Sequence, residues 1–400
     1  MLLILLSCQP QKESTPFLAH EAEYLNSLIP MAVELDETNS LSGQSEAVTF
    51  GEILFFEHDI SPAGVSCANC HDPSHAFSDP LPLSVGVDNT QRHAPSLWGS
   101  GYQRWLNWDG SCDTLWCQAI GPIEKSNEMG STRTRLAIVI SETERLKNKY
   151  ESLFGPLPET DHWPLDAMPS ETNDTHNAAW MSMAEADQQA ATEVMVNIAK
   201  SIGAFEATLI PPPAPIDELS ALYQADPQAA ADWLDATSRR GLDLFSGEGH
   251  CSSCHLGLFG SNLEFHNIGL PLSETQDTED YGRYTGIEML RENPFNSAGI
   301  YSDAPSGTKA NVIDQLVQST EQLGQFKVPH LRELARSAPY MHSGQFQSLN
   351  ETILHYSEMN DVPLQGHIED FLVPLDWPEE DIEAVISFLM LFSEDGPTSN

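Results

Sequence analysis

The sequence has few basic residues: 18 lysines and arginines stand against 59 aspartates and glutamates, and the formal net charge is −41. A chain with this charge is repelled by phosphate backbones and by anionic lipids, so nucleic acid and anionic membrane surfaces are excluded as partners. The same charge attracts basic proteins over long distances. Solubility in a salty medium explains the composition equally well, and both interpretations stay open.

Long hydrophobic runs are absent as well. The apolar run at the N-terminus, MLLILL, has six residues, whereas a helix that crosses a bilayer needs about 20. No membrane-spanning helix is therefore predicted. The run leads into Leu5-Leu6-Ser7-Cys8, which is similar to a bacterial lipobox, where cleavage before the cysteine frees it for lipidation. We expect an export signal with a lipid anchor at Cys8; because no basic residues precede the run, an apolar N-terminus without a signal is the alternative.

Cysteine is scarce, and four of the seven cysteines lie in two copies of the pattern C-x-x-C-H. Two thiols at this spacing can each bond one vinyl group of a haem, and the adjacent histidine can bind the iron. A zinc ribbon also pairs C-x-x-C units but needs no histidine directly after each, and a disulfide pair is a further alternative. We predict two covalently bound haem c groups, attached through Cys67, Cys70, Cys251 and Cys254, with His71 and His255 as iron ligands.

The two remaining cysteines, Cys112 and Cys117, are five residues apart. Bacteria attach haem to C-x-x-C-H outside the cytoplasm, so we expect a periplasmic or outer-membrane protein. An oxidising compartment of this kind permits a disulfide between Cys112 and Cys117. Two unpaired thiols are the alternative, because this spacing on a regular helix puts the side chains on different faces.

Helical periodicity dominates the rest of the chain. Val194, Ile198, Ile202, Phe205 and Leu209 follow one another at steps of three or four, and DWPEEDIEAVISFLMLF near the C-terminus predicts an amphipathic helix capped by Asp376. No series of strands is apparent. We predict a mainly α fold with two c-type cytochrome domains. The predicted divisions are a signal and tether at 1–44, a first haem domain at 45–210 with a surface insertion at 155–177, a proline-rich joint at 211–215, a second haem domain at 216–393 and a tail at 394–400.

Six stretches occur in an order typical of one family: GEILFFEHDIS…SCANCH, NWDG…QAIGPIEKSNEMG, IAKSIGAFEATLIPP, RRGLDLF…CSSCH, YGR and FKVPHLRELARSAPYMHSGQFQSL. Together they resemble the bacterial di-haem cytochrome c peroxidases and their relatives called MauG, which oxidise residues of another protein. The resemblance extends from about Phe50 to Phe392. It implies that the first haem is the peroxide site and that the second haem passes electrons to it.

The resemblance also implies roles for individual residues. His71 becomes the proximal ligand of the peroxide-binding haem, and Trp108 the tryptophan between the two haems. Glu128 matches the distal carboxylate, with Gln118 and Pro122 beside it. A pocket glutamate suits peroxide cleavage, because the reaction needs a group that takes a proton from one oxygen and returns it to the other.

One departure from the family concerns the first haem. Relatives with a blocked peroxide site carry a histidine within a serine–x–glycine–His run, and this chain has Ser84-Val85-Gly86-Val87. Valine cannot bind iron, so we expect the first iron to be open or water-bound without prior reduction. His75 and His93 are nearby imidazoles that remain as alternative ligands.

A second departure concerns the second haem. The peroxidases supply a methionine fourteen residues after the histidine of PYxHSG, whereas the same count from His342 gives Tyr356, as in MauG-like proteins. A phenolate stabilises ferric iron and lowers the potential. We expect Tyr356 as the sixth ligand, with Met359, the weaker His355 or no protein ligand as alternatives.

A third departure concerns calcium. The family holds a calcium ion between the domains partly through an asparagine in an RNxP run, and this chain has Arg92-His93-Ala94-Pro95. Imidazole is a poor calcium ligand. Backbone carbonyls at Ser337 and Pro339 could still contribute, so calcium stays undecided here.

The resemblance predicts a peroxidase-type oxidoreductase. The leading hypothesis is reduction of hydrogen peroxide with electrons from a small cytochrome c or cupredoxin. The first alternative is a MauG-like enzyme that oxidises tryptophan or tyrosine residues of a partner protein. The second is an electron-transfer cytochrome without catalysis, which an open first haem and Glu128 argue against.

Overall fold

The computed structural model describes residues 16–30, 32–271, 279–360, 362 and 365–396. The lipobox-like segment with Cys8 lies outside the described residues. Within them, no helix is long and apolar enough to cross a membrane. The described chain is mainly helical, as the sequence predicts, and its two strands have two residues each.

The helices fall into two series along the chain. The first series is α1 (Ala19–Ser27), α2 (Ser45–Phe55), α3 (Leu115–Glu124), α4 (Arg133–Glu142), α5 (Glu144–Phe154), α6 (Asp174–Met181) and α7 (Glu185–Glu206). The second is α8 (Pro215–Ala225), α9 (Pro227–Trp233), α10 (Ala236–Ser246), α11 (Arg283–Glu292), α12 (Ala310–Ile313), α13 (Leu349–Glu358) and α14 (Glu379–Leu389). Short 3-10 turns lie at Cys67–Asn69, Pro73–His75, Ser100–Tyr102, Cys251–Ser253, Thr320–Gln322 and Met390–Phe392. Strands β1 (Phe265–His266) and β2 (Phe326–Lys327) pair antiparallel, with Phe265 opposite Lys327.

Two hydrophobic cores organise these helices, and each contains one pair of crossing helices. In the first core, α2 packs against α7, where a Cβ on Gly51 would lie 1.9 Å from the carbonyl oxygen of Ser201. In the second, α10 packs against α14, and a Cβ on Gly241 would lie 2.0 Å from the carbonyl oxygen of Ala384. Only glycine permits so close an approach of two backbones. The first helix of each pair, α2 or α10, precedes one C-x-x-C-H turn in the chain, and each core packs against the first cysteine of that turn.

The N-terminal segment packs against both cores. Tyr24 on α1 contacts Phe245 and Phe388 in the second core, with ring centroids 5.3 and 6.0 Å apart. Further along, the Trp116 indole donates a hydrogen bond to Thr38 Oγ1 at 3.0 Å in the first core. The described part of residues 1–44 is therefore packed against the body of the protein, whereas the sequence suggested a tether.

The proline-rich segment at 155–177 is partly buried, which differs from the predicted surface insertion. Trp163 and Ala167 belong to the first core, and Thr134 on α4 donates its backbone N–H to the carbonyl of Ala167. The sequence did not predict that this segment contributes to the core, because hydrophobic periodicity indicates buried helices but not buried loops.

The structure joins Cys112 and Cys117 in a disulfide, with the Cα atoms 5.8 Å apart. Cys112 precedes α3, whose N-cap residue Thr114 accepts a hydrogen bond from the Cys117 backbone N–H. The chain turns at this cap, so the two side chains meet although five residues of regular helix would separate them.

Candidate active site

A continuous cavity passes between the two cores and reaches both C-x-x-C-H turns. Its wall includes the histidines of both turns and several residues singled out from the sequence: His71, Trp108, Gln118, Cys251, Cys254, His255, His342 and Tyr356. The structure thus brings the two predicted haem sites into one space.

The two histidines of the pattern have the same surroundings. The His71 Nδ1 donates to the carbonyl of Phe77 at 3.0 Å, and the His255 Nδ1 donates to the carbonyl of Gly260 at 2.7 Å. Burial lowers the pKa of His71, and it lowers the pKa of His255 to about 4, so both rings are neutral. With Nδ1 protonated, Nε2 carries the lone pair that binds a metal, which is the usual arrangement of a ligating histidine.

The four cysteines of the two patterns are free thiols in this structure. Burial is the main cause that raises the pKa of Cys251 to about 12 and the pKa of Cys70 and Cys254 to about 11. A zinc ribbon needs four thiolates or imidazoles around one ion. Among the residues that the structure describes, no group of three or more such side chains is arranged in that way. Thiols beside a neutral histidine on a large cavity fit a covalently bound haem better.

Trp108 lies on the wall of this cavity and is buried. Its indole N–H donates to the carbonyl of His93 at 2.9 Å, and its ring centroid is 6.5 Å from that of His342. The backbone N–H of Lys327, in β2, donates to the Trp108 carbonyl at 2.8 Å. Both halves of the chain therefore hold this tryptophan.

The predicted distal residues lie near the first turn but are not all on the cavity wall. Gln118, on α3, lines the cavity, whereas Pro122 and Glu128 are not among its lining residues. The Glu128 side chain is 20% exposed and accepts a hydrogen bond from Lys125 at 2.8 Å. Burial raises the pKa of Cys70, and the negative charges of Asp79 and Glu128 raise it further, so the Glu128 carboxylate is close to the first cysteine pair.

The loop that contains Val87 packs against the Glu128 segment. The backbone N–H of Val87 donates to the Glu128 carbonyl at 2.8 Å, and that of Asp88 donates to the Asn127 carbonyl at 3.0 Å. A Cβ on Gly86 would lie 2.4 Å from the Glu128 carbonyl oxygen, so the glycine permits this contact.

The alternative ligands of the first iron are engaged elsewhere. The ring of His75 is hydrogen-bonded to the Asp72 carboxylate on the surface. Both ring nitrogens of His93 have partners: Nε2 lies 3.1 Å from Ser78 Oγ and Nδ1 lies 3.0 Å from the carbonyl of Leu81. Neither imidazole presents a free nitrogen to the cavity.

Tyr356 lies at the end of the cavity that contains the second cysteine pair. Leu349, Thr352, Ile353 and Tyr356 form one face of α13 and line the cavity. Burial raises the pKa of Tyr356, and the nearby Cys251 and Cys254 add to this effect. The His355 ring Nε2 donates to the carbonyl of Ile268 at 2.9 Å. Met359 follows the last residue of α13 in the left-handed conformation and is not among the cavity-lining residues.

The calcium ligands implied by the resemblance do not form a convincing site. The carbonyl-bearing residues Ser337 and Pro339 line the cavity, as does His93. Calcium takes six to eight oxygen ligands. The side chain at position 93 offers no oxygen, and its nitrogens already have partners. The residues present therefore do not fit calcium.

Two titratable residues on the cavity wall, Glu206 and His330, were not identified from the sequence. Glu206, at the end of α7, is 4% exposed, and burial raises its pKa to about 8. Burial likewise lowers the pKa of His330 to about 4. An acidic residue within the apolar stretch IGAFEATLI was the signal available for Glu206.

Residues 45–224 match the family model described as di-haem cytochrome c peroxidase. The predicted resemblance to the di-haem cytochrome c peroxidases and MauG is confirmed. The chain is 27% identical over 356 residues to the cytochrome-c peroxidase IdrP2 of Denitromonas iodatirespirans, covering 88% of this chain and 83% of that protein. It is 28% identical over 316 residues to the methylamine utilization protein MauG of Methylophilus methylotrophus, covering 78% of this chain and 72% of the relative. With the cytochrome c551 peroxidase of Pseudomonas aeruginosa it shares 27% identity over 369 residues, covering 90% and 84%.

Solved structures agree on the fold. The diheme peroxidase BthA from Burkholderia thailandensis superposes with a TM-score of 0.63 at 18% identity, covering 92% of this chain and 89% of that one. A MauG-like protein associated with microbial copper homeostasis superposes with a TM-score of 0.59 at 21% identity, covering 92% and 93%. The mainly α di-haem fold and the peroxidase-type oxidoreductase class are thus as predicted, and haem is the cofactor that the family implies.

Proposed function

We propose that the chain reduces hydrogen peroxide at the first haem site with electrons that enter through the second. The observation that carries this proposal is the shared cavity, whose wall includes His71, Trp108 and His255. Cys67 and Cys70 would attach the first haem and Cys251 and Cys254 the second. When bound, the haems supply the redox-active iron, and each peroxide consumes two electrons and two protons to give two waters.

Glu128 is the proposed proton carrier of the first site. It takes a proton from one peroxide oxygen and returns it to the other. Gln118, which lines the cavity, and Pro122, which does not, are its proposed neighbours. Its position near Cys70 supports this role. The ion pair with Lys125 is no obstacle, because the lysine is 56% exposed and such surface pairs contribute only about 0–1 kcal/mol.

Tyr356 is the proposed sixth ligand of the second iron. Its place on α13 beside both cysteines of the second turn supports it over Met359, which lies past the helix end. The phenol must lose its proton to bind. Burial disfavours that loss in the protein alone, but a ferric ion beside the oxygen favours the phenolate. A phenolate would hold the second haem at a low potential.

A MauG-like activity is the second candidate. Tyr356 and the loop with Val87 favour it, because an open first iron and a phenolate-bound second iron suit the withdrawal of electrons from a partner's tryptophan or tyrosine residues. A relative named MauG is as similar to this chain as the peroxidases are. Electron transfer without catalysis is the least favoured candidate, since it requires no proton carrier at the position of Glu128.

We further propose a basic redox protein as the electron donor. With a net charge of −41, the chain attracts a basic cytochrome c or cupredoxin and repels an acidic one. The proposed location is the periplasm or, through a lipid on Cys8, the outer membrane.

The decisive experiment compares two kinds of product. The purified holoprotein is mixed with hydrogen peroxide and a reduced basic cytochrome c or cupredoxin, and oxidation of the carrier is followed by absorbance. In parallel, candidate partner proteins are treated with enzyme and peroxide and weighed by mass spectrometry. Fast carrier oxidation without mass changes supports the peroxidase. Mass changes without carrier oxidation support the MauG-like activity. If neither product forms, both proposed activities are contradicted.

A further inference from the structure

Arg92 connects the two halves of the protein beside Trp108. Its Nη1 donates to the Asp109 carboxylate at 2.6 Å, while Nε and Nη2 donate to the two carboxylate oxygens of Asp280 at 2.7 and 2.8 Å. Asp109 follows Trp108 in the first half, and Asp280 lies in the second. We call Arg92, Asp109 and Asp280 the Arg92 clamp.

The clamp is buried enough to be rigid. The side chains of Arg92, Asp109 and Asp280 are 22%, 5% and 18% exposed. Arginine can hold two carboxylates at once in a fixed geometry, because its guanidinium is planar and carries five donors. Burial opposes the charge on Arg92, but the hydrogen bonds that it donates to Asp280 and the negative charge of Asp109 outweigh burial and raise the pKa of Arg92.

The same backbone segment holds the Trp108 ring. Its indole N–H donates to the carbonyl of His93, the residue after Arg92, and the backbone N–H of His93 donates to the carbonyl of His342 at 2.8 Å. On the other side, Arg283 Nη1 donates to the carbonyls of Asp109 and Gly110. Trp108 is therefore fixed through its ring and its backbone by residues from both halves.

We propose that Arg92 is a positioning residue that holds Trp108 between the two haem sites, and that the clamp joins the halves without calcium. The proposal rests on the electron relay of the proposed function. An arginine between two carboxylates links the halves by charge. In the family, a calcium ion between the domains has this role. In this chain the side chain at position 93 cannot supply a calcium ligand, as its ring nitrogens bind Ser78 and Leu81.

The first experiment measures electron transfer between the haems of the holoprotein, without peroxide. The second haem is reduced by a light pulse and a photoreductant, and the first haem is followed by absorbance. We expect Arg92→Met to slow this transfer by at least about tenfold, since displacements of about 1 Å at a reacting centre have effects of this size. Arg92→Lys keeps the charge but cannot hold both carboxylates, so an intermediate rate is expected.

The matched control is Arg135→Met. Arg135 holds Asp166 with two hydrogen bonds of 2.6 and 2.7 Å and is 21% exposed, but both residues lie in the first half, away from Trp108. Unchanged transfer in Arg92→Met, or equal slowing in Arg135→Met, would overturn the positioning role. If Arg92→Met does not fold with two haems, Asp280→Asn weakens one arm of the clamp, and an unaltered rate there has the same meaning. A protein that equilibrates its haems but does not reduce peroxide would contradict the proposed function and leave the clamp intact.

The second experiment tests calcium directly. The holoprotein is dialysed against a calcium chelator, its metal content is measured, and thermal unfolding is compared before and after calcium is added back. We expect no stoichiometric calcium and no change in the unfolding midpoint or in the transfer rate. A bound calcium whose removal lowers either quantity would overturn this part of the proposal.

Discussion

The backbone N–H of Val87 donates a hydrogen bond to the carbonyl of Glu128, at 2.8 Å. The loop that carries a histidine ligand in some relatives is thus tied to the backbone of the proposed proton carrier. The Val87 side chain is 48% exposed and is not among the cavity-lining residues, and valine has no atom that binds iron.

The oxidised holoprotein should therefore react with peroxide at once, without prior reduction. Val87→His should introduce a ligand, convert the first iron from high-spin to low-spin, and make the reaction depend on reduction. Electron paramagnetic resonance of the resting proteins and stopped-flow mixing with peroxide measure both effects. Val85→His, two residues earlier in the same loop, is the control. A low-spin first haem in the unaltered protein would show that His75 or His93 closes the site.

Replacing Glu128 by glutamine should slow peroxide cleavage by about 10²–10⁴-fold, the usual effect of losing an acid–base group, with both haem spectra nearly unchanged. Rapid-mixing kinetics with excess peroxide measure the rate. Glu124→Gln is a suitable control, because Glu124 lies four residues before Glu128 and also forms an ion pair, with Arg133. An undiminished rate in Glu128→Gln would assign the proton transfer to Gln118 or to water.

Replacing Tyr356 by methionine should raise the reduction potential of the second haem, since a thioether stabilises ferrous iron and a phenolate stabilises ferric iron. Spectroelectrochemical titration of the holoprotein measures the shift. Tyr340→Phe provides the comparison, as this tyrosine also lines the cavity but donates its hydroxyl to the carbonyl of Leu334. A His/Met signature in the unaltered protein would transfer the ligand role to Met359.

Cys112 and Cys117 should resist alkylation in the native protein and react after reduction, because the structure joins them in a disulfide. Peptide mass spectrometry after labelling with and without reductant distinguishes the two states. Labelling of both residues in the untreated protein would favour the unpaired thiols.

The exported protein should weigh its polypeptide plus two haems after acid–acetone extraction, because thioether bonds to the four pattern cysteines survive this treatment. Intact mass spectrometry gives the count. Cys254→Ser should leave the second haem attached by one bond only and increase its loss on extraction. One haem or none in the unaltered protein would refute the di-haem architecture.

Regular helices and the cysteine patterns were predictable from the sequence, since both leave short-range signals. The stripe from Val194 to Phe205 lies in α7 and is buried, as its spacing indicates. The predicted cap of the last helix was wrong. Helix α14 begins at Glu379, and the backbone N–H groups of Leu375 and Asp376 instead donate to the carbonyl of Ser357. The conformation of this turn depends on hydrogen bonds to Ser357, which is distant in sequence, so the local sequence does not predict it.

The sequence predicted part of the cavity wall but not the contacts across it, and the predicted residues Pro122 and Glu128 do not line the cavity. Trp108, Gln118 and Tyr356 line the cavity as their motifs suggested. The Arg92 clamp was not foreseen, because it joins positions 17 and 188 residues apart. Such pairings depend on how the two halves meet, and charge counts do not reveal which of 59 acidic residues an arginine will face.

The helix crossings at Gly51 and Gly241 suggest how such a chain could arise. Both halves place a glycine at a helix contact shortly before C-x-x-C-H, and in both the histidine of that pattern is partly buried and donates to a nearby carbonyl. This is the pattern expected when a gene for a one-haem carrier is duplicated and the copies are fused. Trp108 and Glu128 lie between the first C-x-x-C-H and α7, in a stretch that sets the first half apart. On this view, the peroxide site arose from the stretch inserted into the first copy, while the second copy kept the electron-carrier function.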